Sequence, residues 1–213
     1  RYLERAREGK ISEASRFGVG EIDDHLRFKK GNFIVVTGHA NVGKTHTMTY
    51  LQLLHTLENG TKWLIYSSEN EVQSLQRKII EFLAGKPINQ IDERTFWRHH
   101  SFVGGHWAFL DSELIVDAFE LLEIAKEVYD AWEFQGMMID PYNSLTIKKE
   151  YLKGVSTHEY HYEVTSHIRK FCKEYGITTI LNTHPATQAL RQVHKGSHEY
   201  ANHTMPPMAS DVE

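Results

Sequence analysis

Eight consecutive residues, Gly38-His39-Ala40-Asn41-Val42-Gly43-Lys44-Thr45, match the spacing G-x-x-x-x-G-K-[ST] at every fixed position. Each fixed type meets a chemical demand. The glycines let the backbone curl so that successive N–H groups converge on an anion, and a helix opening at Gly43-Lys44 adds its positive N-terminal end. Lys44 would set its ammonium against the β- and γ-phosphates of a nucleotide, and Thr45 would turn its hydroxyl to Mg²⁺. A chance match on a glycine-containing turn is the alternative, and a strand before and a helix after weigh against it.

Hydrolysis of a bound nucleotide needs a second carboxylate directed at the metal and a group that positions water. Asp140, closing the apolar run Met137-Met138-Ile139, has the character of the metal carboxylate. A cap at a strand end is the competing role, which the neighbouring Pro141 suits. Glu69, in Ser67-Ser68-Glu69-Asn70, is the candidate base, because the end of its strand should lie beside the phosphate loop at the carboxyl edge of a sheet. Glu69 and Asn70 would equally favour the start of the next helix.

These groups must be positioned by alternating strands and helices, the pattern of βαβ units. Phe33 to Thr37 reads as a strand buried on both faces, from its β-branched run. Met48, Leu51, Leu54 and Leu57 mark the buried side of the next helix, which Asn59-Gly60 should stop. Further strands are predicted at 63–67, 107–110, 136–140 and 177–183, with helices over 71–84, 113–132 and 158–175. The aromatic set Trp97, Phe102, Trp107 and Phe109 reads as core. Residues 1–16 read as a charged linker or solvated helix, and 185–213 as a mobile loop.

The 213 residues suit one α/β domain. Hydrophobic residues at 40% and charged residues at 24% fit neither a disordered chain nor a membrane protein. A single cysteine, Cys172, can build neither a disulfide framework nor a cysteine-based zinc site, which suits a cytoplasmic setting. The net charge of -4 argues against coating duplex DNA by charge alone and leaves room for a local basic channel. The chain starts without Met and stops at Asp211-Val212-Glu213 with no closing element, which reads as part of a longer protein.

The segments taken together resemble the RecA-like motor domain of DnaB-type replicative helicases, including the related phage and Twinkle helicases. The resemblance runs over about 16–213, and places the motor domain at 17–213. Gly20-Glu21-Ile22-Asp23-Asp24-His25-Leu26 and Lys30-Gly31-Asn32 are similar to the family's lead-in, and Tyr66-Ser67-Ser68-Glu69 to its strand with the catalytic glutamate. Ile139-Asp140-Pro141-Tyr142-Asn143 looks like its Walker B segment, with Pro141 a departure, and Leu181-Asn182-Thr183-His184 like its sensor strand. The resemblance implies an α/β P-loop fold with a mostly parallel twisted sheet, helices on both faces, and C-terminal strands missing from this chain. It further implies Glu69 as general base and His184 as γ-phosphate sensor, an ordinary loop histidine being the alternative. ATP and Mg²⁺ are the implied cofactors, and single-stranded DNA, a homo-oligomeric hexameric ring, primase and replisome proteins the implied partners. An arginine finger would lie past Glu213, so this chain alone should be a weak ATPase.

Single-stranded DNA would meet the loops after the fourth and fifth strands. The first carries Lys148, Lys149 and Lys153 near Tyr142 and Tyr151, and the second carries Arg191 and Lys195. Solvated loop lysines are the alternative. His158-x-x-His161 shares a helical face, but no cysteine or second pair completes a zinc set. Rival functions are a RecA/KaiC-like ATPase in recombination or regulation, and a nucleotide-gated loading module without unwinding.

Overall fold

A computed structural model describes residues 4, 7, 8, 14–113, 115 and 117–185. Strands β1 (Phe33–Thr37), β2 (Trp63–Ser67), β3 (Trp107–Leu110), β4 (Gly136–Asp140) and β5 (Thr178–Thr183) form one parallel sheet in the order β1-β5-β4-β2-β3. The helices are a single turn α1 (Gly20–Asp23), then α2 (Lys44–Asn59), α3 (Val72–Ala84), α4 (Glu93–His106), α5 (Ala118–Trp132) and α6 (Thr157–Tyr175).

Side chains alternate across a strand, so each central strand feeds two cores. Trp63, Ile65, Met138 and Ile180 pack with Met48 and Leu51 of α2, Leu75 and Ile79 of α3 and Val103 of α4. Leu64, Tyr66, Met137, Ile139 and Leu181 face the other way, onto Leu121 and Ala125 of α5 and Val164 and Ile168 of α6. The result is the expected sheet with helices on both faces. Local chemistry sets the helix ends: Ser156 and Glu159 form a reciprocal capping box on α6, and Gly60, at φ 65°, closes α2 in the left-handed conformation.

Several expectations are corrected. β1 is not buried on both faces, since Val35 is 47% exposed, and among the described residues it pairs with β5 alone. Leu57 is 56% exposed because three steps of three residues turn a helix by about 900°, half a turn off the face of Met48. The buried stripe of α2 instead runs through Met48, Leu51, Gln52, His55 and Thr56. The helix expected from residue 113 starts at Ala118, because Asp117 accepts from Phe119 N–H at 2.9 Å and Glu120 N–H at 3.0 Å and caps it there. α4 has no counterpart in the sequence reading, although Asp92, accepting from Thr95 N–H, is an ordinary N-cap signal. Trp107 is buried as expected, whereas Trp97, on the outer face of α4, is 56% exposed. Most of 1–16 and all of 186–213 lie outside the described residues, yet Ser15 already bridges to Phe28.

Candidate nucleotide site

Strand order brings the chemistry together. β1, β5, β4 and β2 lie side by side, so their carboxyl ends deliver, in turn, the loop 38–45, His184, Asp140 and Glu69 to one edge of the sheet. These groups line a cleft of about 450 Å³, joined by His46, Asn70 and Lys78.

The loop is bent as its sequence requires. Asn41 (φ 63°) and Gly43 (φ 90°) are left-handed, and Gly43 N-caps α2 without a side-chain hydrogen bond. A Cβ on Gly38 would stand 3.1 Å from Val42 Cγ2 and 3.4 Å from Lys44 Cδ, so a side chain there would have to push the Val42 and Lys44 side chains aside by a few tenths of an ångström. Lys44 Nζ reaches three acceptors: Gly38 O at 2.7 Å, His39 O at 2.9 Å and His184 Nδ1 at 3.1 Å. Burial pulls the Lys44 pKa below its ordinary value, against the opposing pull of Asp140 and Glu69.

Asp140 is 1% exposed. Its Oδ2 accepts from Thr45 Oγ1 at 2.6 Å and its Oδ1 from Asn182 Nδ2 at 2.9 Å. A hydroxyl and a carboxylate joined at the foot of a phosphate-sized loop are hard oxygen donors of the type Mg²⁺ takes beside nucleotide phosphates. The residues present therefore fit a Mg²⁺-nucleotide.

His184 links the two halves of the cleft. Its Nε2 is 3.1 Å from Glu69 Oε1 while its Nδ1 faces the Lys44 ammonium. An ammonium can only donate, so Nδ1 accepts, and the Nε2–H tautomer then donates to Glu69. Asn143 Oδ1 accepts from Thr183 Oγ1 at 2.6 Å and His184 N–H at 2.7 Å.

The lysines expected on the nucleic-acid loop divide. Lys148 forms an ion pair with the fully buried Asp117, whereas Lys149 and Lys153 are exposed. For Asp117, burial would raise the carboxyl pKa, but Lys148 and the N–H groups of Glu120 and Phe119 hold it below its ordinary value. Arg191 and Lys195 lie outside the described residues. His161 is 2.6 Å from the Tyr142 hydroxyl. Lys78 and Asn143 carry no signal of their own in the sequence: no local spacing carries α3 over to the phosphate loop, and no motif singles Asn143 out of its segment.

No protein-family model matches the chain. The Twinkle homolog protein, chloroplastic/mitochondrial, of Arabidopsis thaliana is 26% identical over 184 residues, covering 79% of this chain and 25% of the relative. The chain thus spans about a quarter of that relative's length. Among solved structures, a DnaB-like replicative helicase aligns with TM-score 0.68 at 13% identity over 98% of this chain and 54% of its own. A solved ATPase domain aligns at 0.67 and 14% identity, over 99% of this chain and 75% of its own. A KaiC-like protein of Pyrococcus horikoshii OT3 aligns at 0.57 and 21%, over 82% and 73%. The fold is that of RecA-like P-loop ATPases. Its sequence is thus similar to part of the Twinkle homolog, and its fold to those of the DnaB-like replicative helicase and the solved ATPase domain.

Proposed function

We propose that this chain is the ATP-hydrolysing motor domain of a DnaB-type replicative helicase, spanning 17–213 with 1–16 as linker, that moves along single-stranded DNA and unwinds duplex from within a homo-oligomeric, hexameric ring. What supports this most is the meeting in one cleft of Lys44, the Thr45–Asp140 pair and the Glu69–His184 pair. Residues 38–45 cradle the β- and γ-phosphates through their N–H groups, and Lys44 exchanges its contacts to loop carbonyls for phosphate oxygens. Thr45 and Asp140 hold Mg²⁺, which when bound neutralises developing charge on the phosphates. Glu69 orients the attacking water and takes its proton, and His184 senses the γ-phosphate.

Lys149 and Lys153 contact the DNA backbone, with Lys148 shared between that loop and Asp117 and with Arg191 and Lys195 in the second loop. The DnaB-like helicase among the comparisons is described with its interactions with primase, and primase and replisome proteins are partners in this proposal too. Among the described residues no helix is long and apolar enough to cross a membrane, and the proposed setting is the cytoplasm of a bacterium, with a phage-encoded origin consistent with it.

The test is ATP hydrolysis and unwinding of forked DNA by the full-length protein and its Lys44→Ala variant, with ATP binding followed by calorimetry. Binding, turnover and unwinding should all be lost in the variant, and unchanged ATP affinity would sink the assignment. The likeness to a KaiC-like protein supports a second reading, an oligomeric ATPase of recombination or regulation. Filaments on single-stranded DNA without unwinding would favour it, and ATP-driven assembly without turnover would favour a loading module.

A further inference from the structure

β4 and β5 stop pairing before β5 ends. Their register runs from Gly136↔Thr178 to Ile139↔Leu181, whereas β5 continues beside β1 through Val36↔Asn182 and Thr37↔Thr183. Past Leu181, side chains replace the ladder on the β4 side: Asn182 donates to Asp140, and Asn143 accepts from Thr183 and His184. A backbone N–H can only donate, so the Asn143 atom facing His184 N–H is the carbonyl oxygen, and the amide's orientation is set. Asn143 stands in the turn Tyr142–Ser144, the first part of the loop that goes on to Lys149 and Lys153. One hydrogen bond thus joins that loop to the residue whose ring touches both Lys44 and Glu69, and a second joins it to the residue before, Thr183.

Resting on the motor reading above, we infer that Asn143 is a positioning residue that couples the loop after β4 to the His184 ring, and through that ring to Glu69. A side-chain latch is suited to this because rotation about its own torsions releases it without unpairing a strand. The ring's two contacts, both 3.1 Å, sit near the long end of hydrogen-bond range, so a small shift of the His184 main chain breaks them. Nucleic acid engaging the loop therefore alters how Glu69 is held, while Lys44 keeps its contacts to Gly38 O and His39 O.

The experiment compares wild type, Asn143→Leu and Asn143→Asp. Asp keeps an acceptor oxygen and Leu removes it. In Asn143→Leu, amide exchange at His184, followed by NMR on ¹⁵N-labelled protein, should rise about tenfold or more. In the full-length protein the same variant should lose about tenfold in kcat for ATP hydrolysis stimulated by oligo-dT, with KM for ATP within about twofold, since a mispositioned base forfeits part of a ~10²–10⁴ contribution. Asn143→Asp should restore both. Unchanged exchange in the Leu variant, lost protection with normal stimulation, or an Asp variant as impaired as Leu would each overturn the inference. Failure of the motor reading looks different, namely wild type that hydrolyses no ATP with or without oligo-dT. Exchange alone then decides whether Asn143 latches His184, upheld by protection lost with Leu and kept with Asp, and overturned otherwise.

Discussion

His184 Nε2 lies 3.1 Å from Glu69 Oε1, although 115 residues separate them in the chain. The contact crosses the end of β4, which lies between their strands, β5 and β2. Glu69 is thereby held at the cleft while its side chain remains half-exposed, and the proposed reading makes it the base. Glu69→Gln should cut ATP turnover by ~10²–10⁴ and leave nucleotide binding intact, as measured by steady-state hydrolysis beside calorimetry. Normal hydrolysis in this variant, with Asp140→Asn alone inactive, would move the base to Asp140.

The lysines of the loop after β4 should separate into two kinds. Lys148 neutralises a carboxylate buried at the start of α5, so Lys148→Ala should lower the melting temperature by leaving that charge unpaired. Replacing Lys149 and Lys153 together with Glu should leave the melting temperature in place, weaken single-strand binding and flatten its salt dependence. ATP affinity should hold in the double variant. An unchanged salt slope would place the nucleic-acid surface elsewhere.

His55 gives stability a pH dependence. The ring is 2% exposed, lies tilted with its centroid 4.2 Å from that of Phe28, and is bonded through both nitrogens, to Ser15 Oγ and Thr61 Oγ1, at 2.7 Å each. Burial pushes its pKa down from 6.5 to about 4, against a weaker upward pull from Asp23. Between those values the unfolded chain binds more protons than the folded one, so stability is full above about pH 6.5 and declines as pH falls toward 4. Urea unfolding at several pH values should show that decline, and His55→Gln should reduce its slope. Equal slopes in the two proteins would remove His55 as its source.

Gly136 pairs with Trp63 across β4 and β2, and a Cβ at position 136 would overlap the indole ring. That ring cannot easily yield, because its Nε1 donates to the buried Thr56 Oγ1 at 3.0 Å. Gly136→Ala should therefore cost ~1–3 kcal/mol in chemical denaturation. ATP affinity should be unaltered, since Asp140 and the cleft lie at the opposite end of β4. An unchanged midpoint would show that the pair has room to adjust.

The strands at 63–67, 107–110 and 136–140 were legible to the residue, because unbroken apolar runs between turn signals leave little choice of boundary. α4 was not legible. Its sequence, ERTFWRHHSFVGGH, mixes aromatic, histidine and glycine residues and buries only Val103 fully, so no apolar stripe announced it. β1 misled for the opposite reason: Phe33-Ile34-Val35-Val36 has the composition of a central strand, and composition does not tell how many neighbours a strand has.

By itself the sequence determined the phosphate loop, since the curl, the lysine and the hydroxyl are all contained in eight adjacent residues whose chemistry is local. It also marked Asp140, Glu69 and His184 as strand-end residues, and its resemblance to a known family suggested their parts. Only the tertiary structure decided that they meet. Placing β5 between β1 and β4 seats His184 between Lys44 and Glu69, and the same packing turns Lys148 inward to Asp117 and brings Asn143 under the His184 main chain. The physical reason is that spacing along a chain encodes which face of an element is buried, whereas which strands become neighbours depends on how all the faces close over two cores at once.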